Sequence, residues 1–157
     1  MFMHEAVKLA ELNAKNRFTE GGPFGAVIVQ GDQIVGKGKN NVLLHKDPTA
    51  HAEVCAIRDA CQKFDTYDLS GCELYTNCMP CPMCLAAIVW SNIKTIYYGN
   101  TKEDADKIGF RDDAIYKELN NVHNGLELQI ISLKQTDRKL TIETFNKFDE
   151  LKQKTMY

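Results

Sequence analysis

The sequence lacks the features that would assign it to a membrane, a secretory route or a nucleic-acid partner. No segment approaches the roughly 20 apolar residues of a membrane-spanning helix, and the amino terminus has no basic leader with a continuous apolar core. Neither sign of charge is in excess, since 19 basic residues stand against 21 acidic ones. A formal charge of −2 and an isoelectric point near 6.1 give no electrostatic footprint for nucleic acid. We therefore expect a cytoplasmic protein without a membrane or nucleic-acid partner.

Internal repeats, low-complexity segments and linkers are also absent. A chain of 157 residues with 44% hydrophobic content can bury one sizeable core, so a single domain over residues 1–157 is expected. The six cysteines do not suggest a disulfide framework, because three of them are crowded at Cys78, Cys81 and Cys84. In a chain without a secretory leader, this crowding indicates metal ligands or buried thiols.

The pattern of apolar residues predicts alternating helices and strands. Apolar residues at helical spacing predict an amphipathic helix over residues 2–17 and a second one over 51–64. Between them, two apolar runs flank the turn-forming pair Gly31-Asp32, which indicates a β-hairpin. Further along, we expect strands at 72–76, 93–99 and 126–133, helices at 83–90 and from Asp137 onward, and two short helices within 101–120.

A strand, a helix and another strand in succession form a crossover unit, which places its two strands parallel. The predicted fold class is therefore α/β: three layers, with helices on both faces of a five-stranded mixed sheet. The hairpin supplies the antiparallel edge, and the later strands are parallel.

Two short segments carry the chemistry. His51-Ala52-Glu53 and Pro80-Cys81-Pro82-Met83-Cys84 together offer an imidazole, two thiolates and a carboxylate. Imidazole nitrogen and thiolate sulfur suit Zn²⁺, and Cys-x-x-Cys brings two sulfurs to one ion. A structural zinc normally has four protein ligands, whereas a catalytic zinc keeps one position open for water. We therefore predict catalytic Zn²⁺ held by His51, Cys81 and Cys84, where the two helices begin.

Glu53 is then free to move protons. Bound zinc lowers the pKa of its water toward about 7, and a nearby carboxylate can take the proton of that water and return it to a substrate. The predicted reaction is therefore a hydrolysis by metal-activated water.

Three alternatives compete with this prediction. His51 and the cysteines could be buried core residues. Cys78, two residues before Pro80, could act as a fourth ligand in a closed structural zinc site, which would leave Glu53 without a role. The spacing of the three cysteines also fits part of an iron–sulfur motif, but residue 88 is Ile and no fourth cysteine follows.

At these residues the sequence resembles the cytidine deaminase superfamily, whose zinc signature is His-x-Glu followed by Pro-Cys-x-x-Cys. Within it, the runs PFGAVIV, DPTAHAEVCAIRDAC, PCPMC and GFRDDAIYKEL, with the terminal tyrosine, are similar to the bacterial guanine deaminase family. That family hydrolyses guanine to xanthine and ammonia. The resemblance implies zinc bound by the three residues predicted above and Glu53 as the proton shuttle.

The resemblance also assigns the purine contacts. Asn40 is similar to an asparagine that hydrogen-bonds the purine, and Phe24 to an aromatic residue that packs on its ring. Asp112 resembles a catalytic acidic residue facing the substrate amine, which fits guanine because a carboxylate can accept from N1–H and the 2-amino group together. Tyr157 resembles a terminal tyrosine that closes the pocket. In that family its tail is sometimes exchanged between two subunits, which implies a homodimer.

Other functions remain open from the sequence alone. A tRNA adenosine deaminase shares both zinc segments, a guanosine or cytosine deaminase is compatible with them, and a zinc-stabilised binding module is the non-enzymatic alternative. Two positions depart from the resembled family, which usually has Glu where this chain has Met79 and Gly where it has Ala86. The first removes an acid that could orient the metal site.

Overall fold

The computed structural model describes residues 1–123 and 131–157, and the side chains of all of these except 120–123. Its centre is a five-stranded mixed sheet in the order β2-β1-β3-β4-β5. Strand β1 is antiparallel to both β2 and β3, whereas β3, β4 and β5 run parallel. The strands are β1 (Gly25–Gln30), β2 (Gln33–Lys39), β3 (Glu73–Cys78), β4 (Thr95–Asn100) and β5 (Ser132–Gln135). The predicted mixed α/β sheet is confirmed.

Helices cover both faces of this sheet. They are α1 (Phe2–Lys15), α2 (Val42–His45), α3 (Ala52–Phe64), α4 (Pro82–Trp90), α5 (Lys102–Lys107), α6 (Asp112–His123) and α7 (Arg138–Asp149). Helices α1 and α7 lie on one face, and α3 lies on the other with α4 beside it. Among the helices of the described ranges, none is long and apolar enough to cross a bilayer.

Glycines in the hairpin let the helices approach the sheet closely. A Cβ at Gly25 would lie 2.1 Å from the Ala6 carbonyl oxygen of α1, and one at Gly38 would lie 2.1 Å from the Ala52 carbonyl oxygen of α3. Both distances are shorter than any Cβ contact allows. The hairpin therefore seats α1 and α3 on opposite faces, and the first residue of α3 lies directly against β2.

The structure differs from the predicted elements at a few places. The four-residue helix α2 was not predicted. In the sequence, apolar residues recur every third position at Ile142, Phe145, Phe148 and Leu151, which predicts a helix through all four, but α7 ends at Asp149 and Leu151 lies beyond it. The predicted strand over 126–133 is confirmed at Ser132 and Leu133, while its residues 126–130 lie outside the described part. The single domain over residues 1–157 stays a prediction.

Asp104 joins the carboxyl-terminal helix to the end of the sheet. Its buried carboxylate accepts hydrogen bonds from Thr101, in a capping box at the start of α5, and from Arg138, at 2.6 and 2.9 Å. Burial raises the pKa of Asp104, but the hydrogen bonds from Arg138 and Thr101 outweigh it and lower the pKa. The charged form is therefore stabilised by folding.

Replacing Arg138 by Ala should lower the free energy of unfolding at neutral pH by more than the loss of an exposed ion pair does, because the buried carboxylate of Asp104 loses two charged hydrogen bonds. Because the folded pKa of Asp104 is depressed, this contribution is present at neutral pH. It is lost as the pH falls below the unfolded value of about 3.9. Urea unfolding at pH 7 and pH 3 measures both effects.

Lys147→Ala is the control, because the Lys147–Glu11 ion pair also joins α7 to the rest of the fold but is exposed. Its loss should change the free energy of unfolding by less than about 1 kcal/mol. Equal losses in the two variants would contradict the role assigned to Asp104.

Candidate active site

Two helix amino termini bring the predicted ligands together. His51 is the N-cap residue of α3 and Cys81 is the N-cap residue of α4, and neither side chain caps its own helix. Pro82 occupies the first turn of α4, where its missing N–H costs no hydrogen bond. Cys84 follows one turn later. The side chains of His51 and Cys81 are thus free to turn toward the space between the helices. The partial positive charge of each helix amino terminus favours the thiolate form of a cysteine there.

The geometry of the three donors fits a tetrahedral metal ion. Nδ1 of His51 lies 3.6 Å from Sγ of Cys81 and 3.6 Å from Sγ of Cys84. Zinc bond lengths to nitrogen and sulfur at a tetrahedral angle place N and S about 3.6 Å apart. The three ligand atoms lie within 4.8 Å of one another. The donor set therefore fits Zn²⁺ with one open position.

The protonation of the two thiols also suits a cation. Hydrogen bonds with Cys84 and His51, together with the charge of His51, outweigh burial and lower the pKa of Cys81 to about 4. The pKa of Cys84 is raised, mainly by the neighbouring Cys81 thiolate and by burial. One proton is thus retained by a pair that zinc would deprotonate fully, because zinc binds thiolates.

Glu53 is held beside the donors without joining them. It is the second residue of α3, is 5% exposed, and its Oε1 accepts a hydrogen bond from Thr76 Oγ1 at 3.1 Å. The other oxygen, Oε2, lies 3.4 Å from Sγ of Cys84. Burial and the nearby Cys81 thiolate raise the pKa of Glu53. The structure thus orients one carboxylate oxygen toward the ligand group.

A cavity of about 230 Å³ opens directly onto these side chains. Every predicted site residue except the buried ligand Cys84 lines it: Phe24, Asn40, His51, Glu53, Cys81, Asp112 and Tyr157. The remaining wall consists of Pro48, Cys78, Met79, Met83, Phe110, Arg111 and Ile115. Residues from five separate parts of the sequence therefore form one concave site.

Asn40 presents its amide to this cavity in a determined orientation. Its Oδ1 accepts three hydrogen bonds, from Tyr157 Oη at 2.6 Å and from the backbone N–H groups of Gly22 and Val42 at 3.3 Å. Within residues 1–123 and 131–157, no acceptor is recorded for its Nδ2. The donor side of the amide is therefore the side left for a ligand.

Tyr157 lines the cavity beside Asn40, through its hydroxyl and its ring. The hydroxyl donates to Asn40 and accepts from the N–H of Gly22 at 2.9 Å, and the ring packs edge-on against Phe110, with centroids 5.7 Å apart. Phe110 in turn packs edge-on against Phe24 at 4.8 Å. The terminal tyrosine therefore belongs to the aromatic wall of the cavity in this chain.

Asp112 supplies the acidic side of the cavity from the first residue of α6. Burial raises the pKa of Asp112 to about 7, and the charges of Cys81 and Glu53 act in the same direction. A divalent cation at the donors would oppose those charges and favour the carboxylate.

Cys78 does not complete a four-ligand site. Its thiol points to the carbonyl oxygen of Thr101, at 3.7 Å, and among the described residues the metal-binding group consists of His51, Cys81 and Cys84 alone. The closed zinc site and the iron–sulfur alternative both required Cys78 as a ligand, and this geometry supports neither. Cys78 is instead a buried wall of the cavity.

The family model for the cytidine and deoxycytidylate deaminase zinc-binding region matches residues 1–100. The chain belongs to this family. Both zinc-binding segments, Glu53 and Asn40 lie inside the matched region, whereas Asp112 and Tyr157 lie beyond it.

Curated members of the family differ in substrate. Guanine deaminase from Bacillus subtilis is 54% identical over 99 residues, which is 63% of this chain and 64% of that protein. A tRNA-specific adenosine deaminase from Aquifex aeolicus is 45% identical over 93 residues, 59% of this chain and 62% of that protein. The chain thus spans less than two thirds of the length of either relative.

Structural similarity extends further than these alignments. The crystal structure of guanine deaminase from Bacillus subtilis has a TM-score of 0.72 and 42% identity, covering 99% of this chain and 96% of that one. Its likeness therefore includes the carboxyl-terminal part, which carries Asp112 and Tyr157.

Asn13 supports the cavity wall, although the sequence pattern did not predict a role for it. Its buried side chain donates to the carbonyl oxygens of Gly22 and Asn40, at 2.9 and 2.7 Å, and its own oxygen accepts from Lys39 at 3.0 Å. Asn13 thereby holds the backbone on which Asn40 and the Tyr157 contact depend. A polar residue on the apolar stripe of the first helix was the signal in the sequence.

Proposed function

We propose that this chain is a zinc-dependent aminohydrolase that converts guanine and water to xanthine and ammonia. The observation that carries the proposal is that one cavity is lined both by the acidic Asp112 and by Asn40, whose amide donor is left for a ligand, beside the ligand group and Glu53. Guanine presents donors at N1 and its 2-amino group on one edge, and acceptors at O6 and N7 on another. The two polar walls complement those edges.

His51, Cys81 and Cys84 would hold the zinc, which supplies Lewis acidity that makes water a nucleophile at neutral pH. Glu53 performs the proton transfers. Its Oε2, the oxygen beside the ligand sulfur, accepts a proton from the attacking water and passes it to a ring nitrogen of guanine. It then assists the departure of the 2-amino group as ammonia, so that the water oxygen replaces the amine. Thr76 keeps Oε1 occupied and so fixes which oxygen acts.

Substrate orientation comes from three side chains. Asn40 Nδ2 donates to a purine acceptor, because its Oδ1 is already engaged by three donors. The carboxylate of Asp112 accepts from N1–H and the 2-amino group, which places the amine near the reacting water and gives Asp112 a catalytic as well as a binding role. Phe24 packs on the ring and is itself held by Phe110 and Phe145.

A tRNA adenosine deaminase is the second candidate, favoured by the relative from Aquifex aeolicus. Two features support a small free base instead. Tyr157 closes the cavity by direct hydrogen bonds to Asn40 and Gly22, and the chain has no net positive charge that would attract a polyanion.

The cytoplasm is the compartment we propose for this protein. None of the six cysteines forms a disulfide, as is usual in that reducing environment.

The deciding assay measures ammonia release from guanine, guanosine, adenine, cytosine and a tRNA anticodon stem. We expect guanine to give the highest kcat/KM, and Glu53→Gln to lower kcat for guanine by about 100- to 10,000-fold, because a general acid–base group is removed. Metal analysis should find about one zinc per chain in both proteins, since Glu53 is not a ligand.

Thr76→Val is the matched control, because it removes the hydroxyl that holds Glu53 Oε1 but leaves the carboxylate in place. It should lower kcat by much less than Glu53→Gln does. Near-normal turnover by Glu53→Gln would refute the proton-transfer role, and turnover of a different substrate with guanine inert would refute the substrate.

Tyr157→Phe should raise KM for guanine about tenfold, because Asn40 and Gly22 each lose a hydrogen-bond partner while the ring stays packed on Phe110. Deletion of Tyr157 should raise it further by opening the cavity. Lys152→Ala, an exposed residue of the same tail, is the control and should leave KM unchanged. If deletion of Tyr157 leaves guanine turnover intact, the tail is not part of the working pocket.

We also propose that the protein is a homodimer that associates through α4. This helix is apolar throughout, and Trp90 at its end is 84% exposed. Ala86 lies one turn earlier on the same side and is exposed too. An exposed apolar face of this kind marks a protein interface. The tail after α7 contains no helix or strand. It could therefore place Tyr157 in the cavity of its own chain or in the cavity of the partner.

Light scattering should give the mass of two chains, and Trp90→Glu should shift it to one, since a charge would be buried in the interface. Tyr67→Glu is the control, because Tyr67 is equally exposed but lies outside α4.

Exchange of the tail is tested by mixing the Glu53→Gln protein with the protein that lacks Tyr157. Restored guanine turnover supports exchange, and persistent inactivity supports a tail that serves its own chain.

A further inference from the structure

The first two turns of α6, which carry Asp112, contact the rest of the protein through a narrow face. Between residues 112 and 119 of α6, only Asp112, Asp113 and Tyr116 have side chains that are not exposed. These three lie on one side of the first two turns, since spacings of three and four residues share a helix face. The position of Asp112 in the cavity therefore depends on what this short face contacts.

Tyr116 makes the polar contact that joins this face to the metal-binding loop. Its hydroxyl donates a hydrogen bond to the carbonyl oxygen of Pro80, at 2.6 Å. Pro80 directly precedes Cys81, and Tyr116 also packs against the main core cluster. The hydroxyl thus connects the helix bearing the acidic wall to the backbone of a ligand residue.

Lys102 supports the same face from the solvent side. Its Nζ donates to Asp113 at 3.0 Å and lies 5.3 Å from the centre of the Tyr116 ring. A cation over a tyrosine ring is attractive, though modestly so where it is partly exposed. Lys102 belongs to α5, so α6 is fastened on one side to the metal loop and on the other to α5.

We propose that Tyr116 is a positioning residue that sets the location of Asp112 relative to the metal-binding loop, and so determines how tightly guanine is bound. The inference rests on the proposed function, because it takes guanine as the ligand of Asp112. The hydroxyl of Tyr116 touches no substrate atom in this role. It acts through the helix, by holding the carboxylate at the distance that the edge of guanine requires.

The alternative is that Tyr116 merely stabilises the fold. Tyr116→Phe separates the two, because it keeps the ring, its packing on the core and its contact with Lys102, and removes only the bond to Pro80. A stabilising role predicts a lower melting temperature with normal affinity in the folded protein. A positioning role predicts that Tyr116→Phe weakens guanine binding when Asp112 is present, and that it has little effect on binding when Asp112 is replaced.

The experiment is a double-mutant cycle in the Glu53→Gln background, where guanine is bound without being consumed. Four zinc-loaded proteins are compared by equilibrium dialysis with radiolabelled guanine: the parent, Tyr116→Phe, Asp112→Asn, and both changes together. We expect Tyr116→Phe to weaken binding about tenfold in the parent, equal to about 1.4 kcal/mol. In the Asp112→Asn protein the same change should weaken it less than twofold, because coupled residues are not additive.

Equal weakening in both backgrounds, or none in the parent, would overturn the positioning role. A parent that binds no guanine would overturn the proposed function and the inference with it, which is a different result from additivity. Glu118→Gln, an exposed position on the same helix, should leave the affinity unchanged. Zinc content and melting temperature are measured for every variant.

Lys102→Met provides an independent variant that does not touch the metal-binding loop. It removes one of the two lysines paired with Asp113, together with the cation beside the Tyr116 ring, so it should weaken guanine binding about threefold in the parent, as expected for a partly exposed contact. It should have no effect together with Asp112→Asn. Weakening that persists there would show that Lys102 acts by another route and would contradict the fastening of α6 described above.

Discussion

The meeting of two helix amino termini above the parallel strands is the constraint on which the site depends. His51 and Cys81 are both N-cap residues, and their donor atoms lie 3.6 Å apart. That separation requires α3 and α4 to converge at the ends of the strands, which in turn requires α3 to sit closely on Gly38 of β2. Burial of Glu53 follows, because the same first turn of α3 that presents His51 directs Glu53 inward to Thr76.

The wall of the cavity around Asn40 depends on a different feature, which is the hydrogen bonding of its buried polar groups. Asn13 and Asn77 are both fully buried, and each uses its amide to fasten the loop before β1: Asn13 holds the carbonyl of Gly22, and Asn77 holds Pro23 and the N–H of Gly25. Among the described side chains, no buried nitrogen or oxygen lacks a partner. A satisfied network of this kind gives a single geometry. It engages Oδ1 of Asn40 with three donors, so the amide nitrogen is the group that Asn40 can offer to a ligand in the cavity.

Much of the fold and the metal site could be predicted from the sequence, because both follow from local patterns. Periodicity located the hairpin, α3, the crossover unit and α7, and the spacing of His51, Cys81 and Cys84 indicated three ligands and an open position. Helix α2 escaped prediction because four residues carry too little periodicity. The end of α7 at Asp149 also escaped prediction, because the apolar spacing continues to Leu151. Leu151 does pack against the core, but from an irregular segment that follows the helix. The roles of Asn40, Asp112 and Tyr157 came from resemblance alone, because no local pattern relates such distant residues.

The sequence by itself determined the chemistry: which atoms can bind zinc, which carboxylate is spare, and that helices and strands alternate around one sheet. These properties reside in residue type and short-range spacing. Only the tertiary structure decided that Cys78 turns away to Thr101, that the Asn40 amide offers its donor, and that Tyr116 joins α6 to the metal-binding loop. Each of these depends on atoms brought within hydrogen-bond distance by packing between segments remote in the chain, and hydrogen-bond geometry is not encoded in the spacing of residues along it.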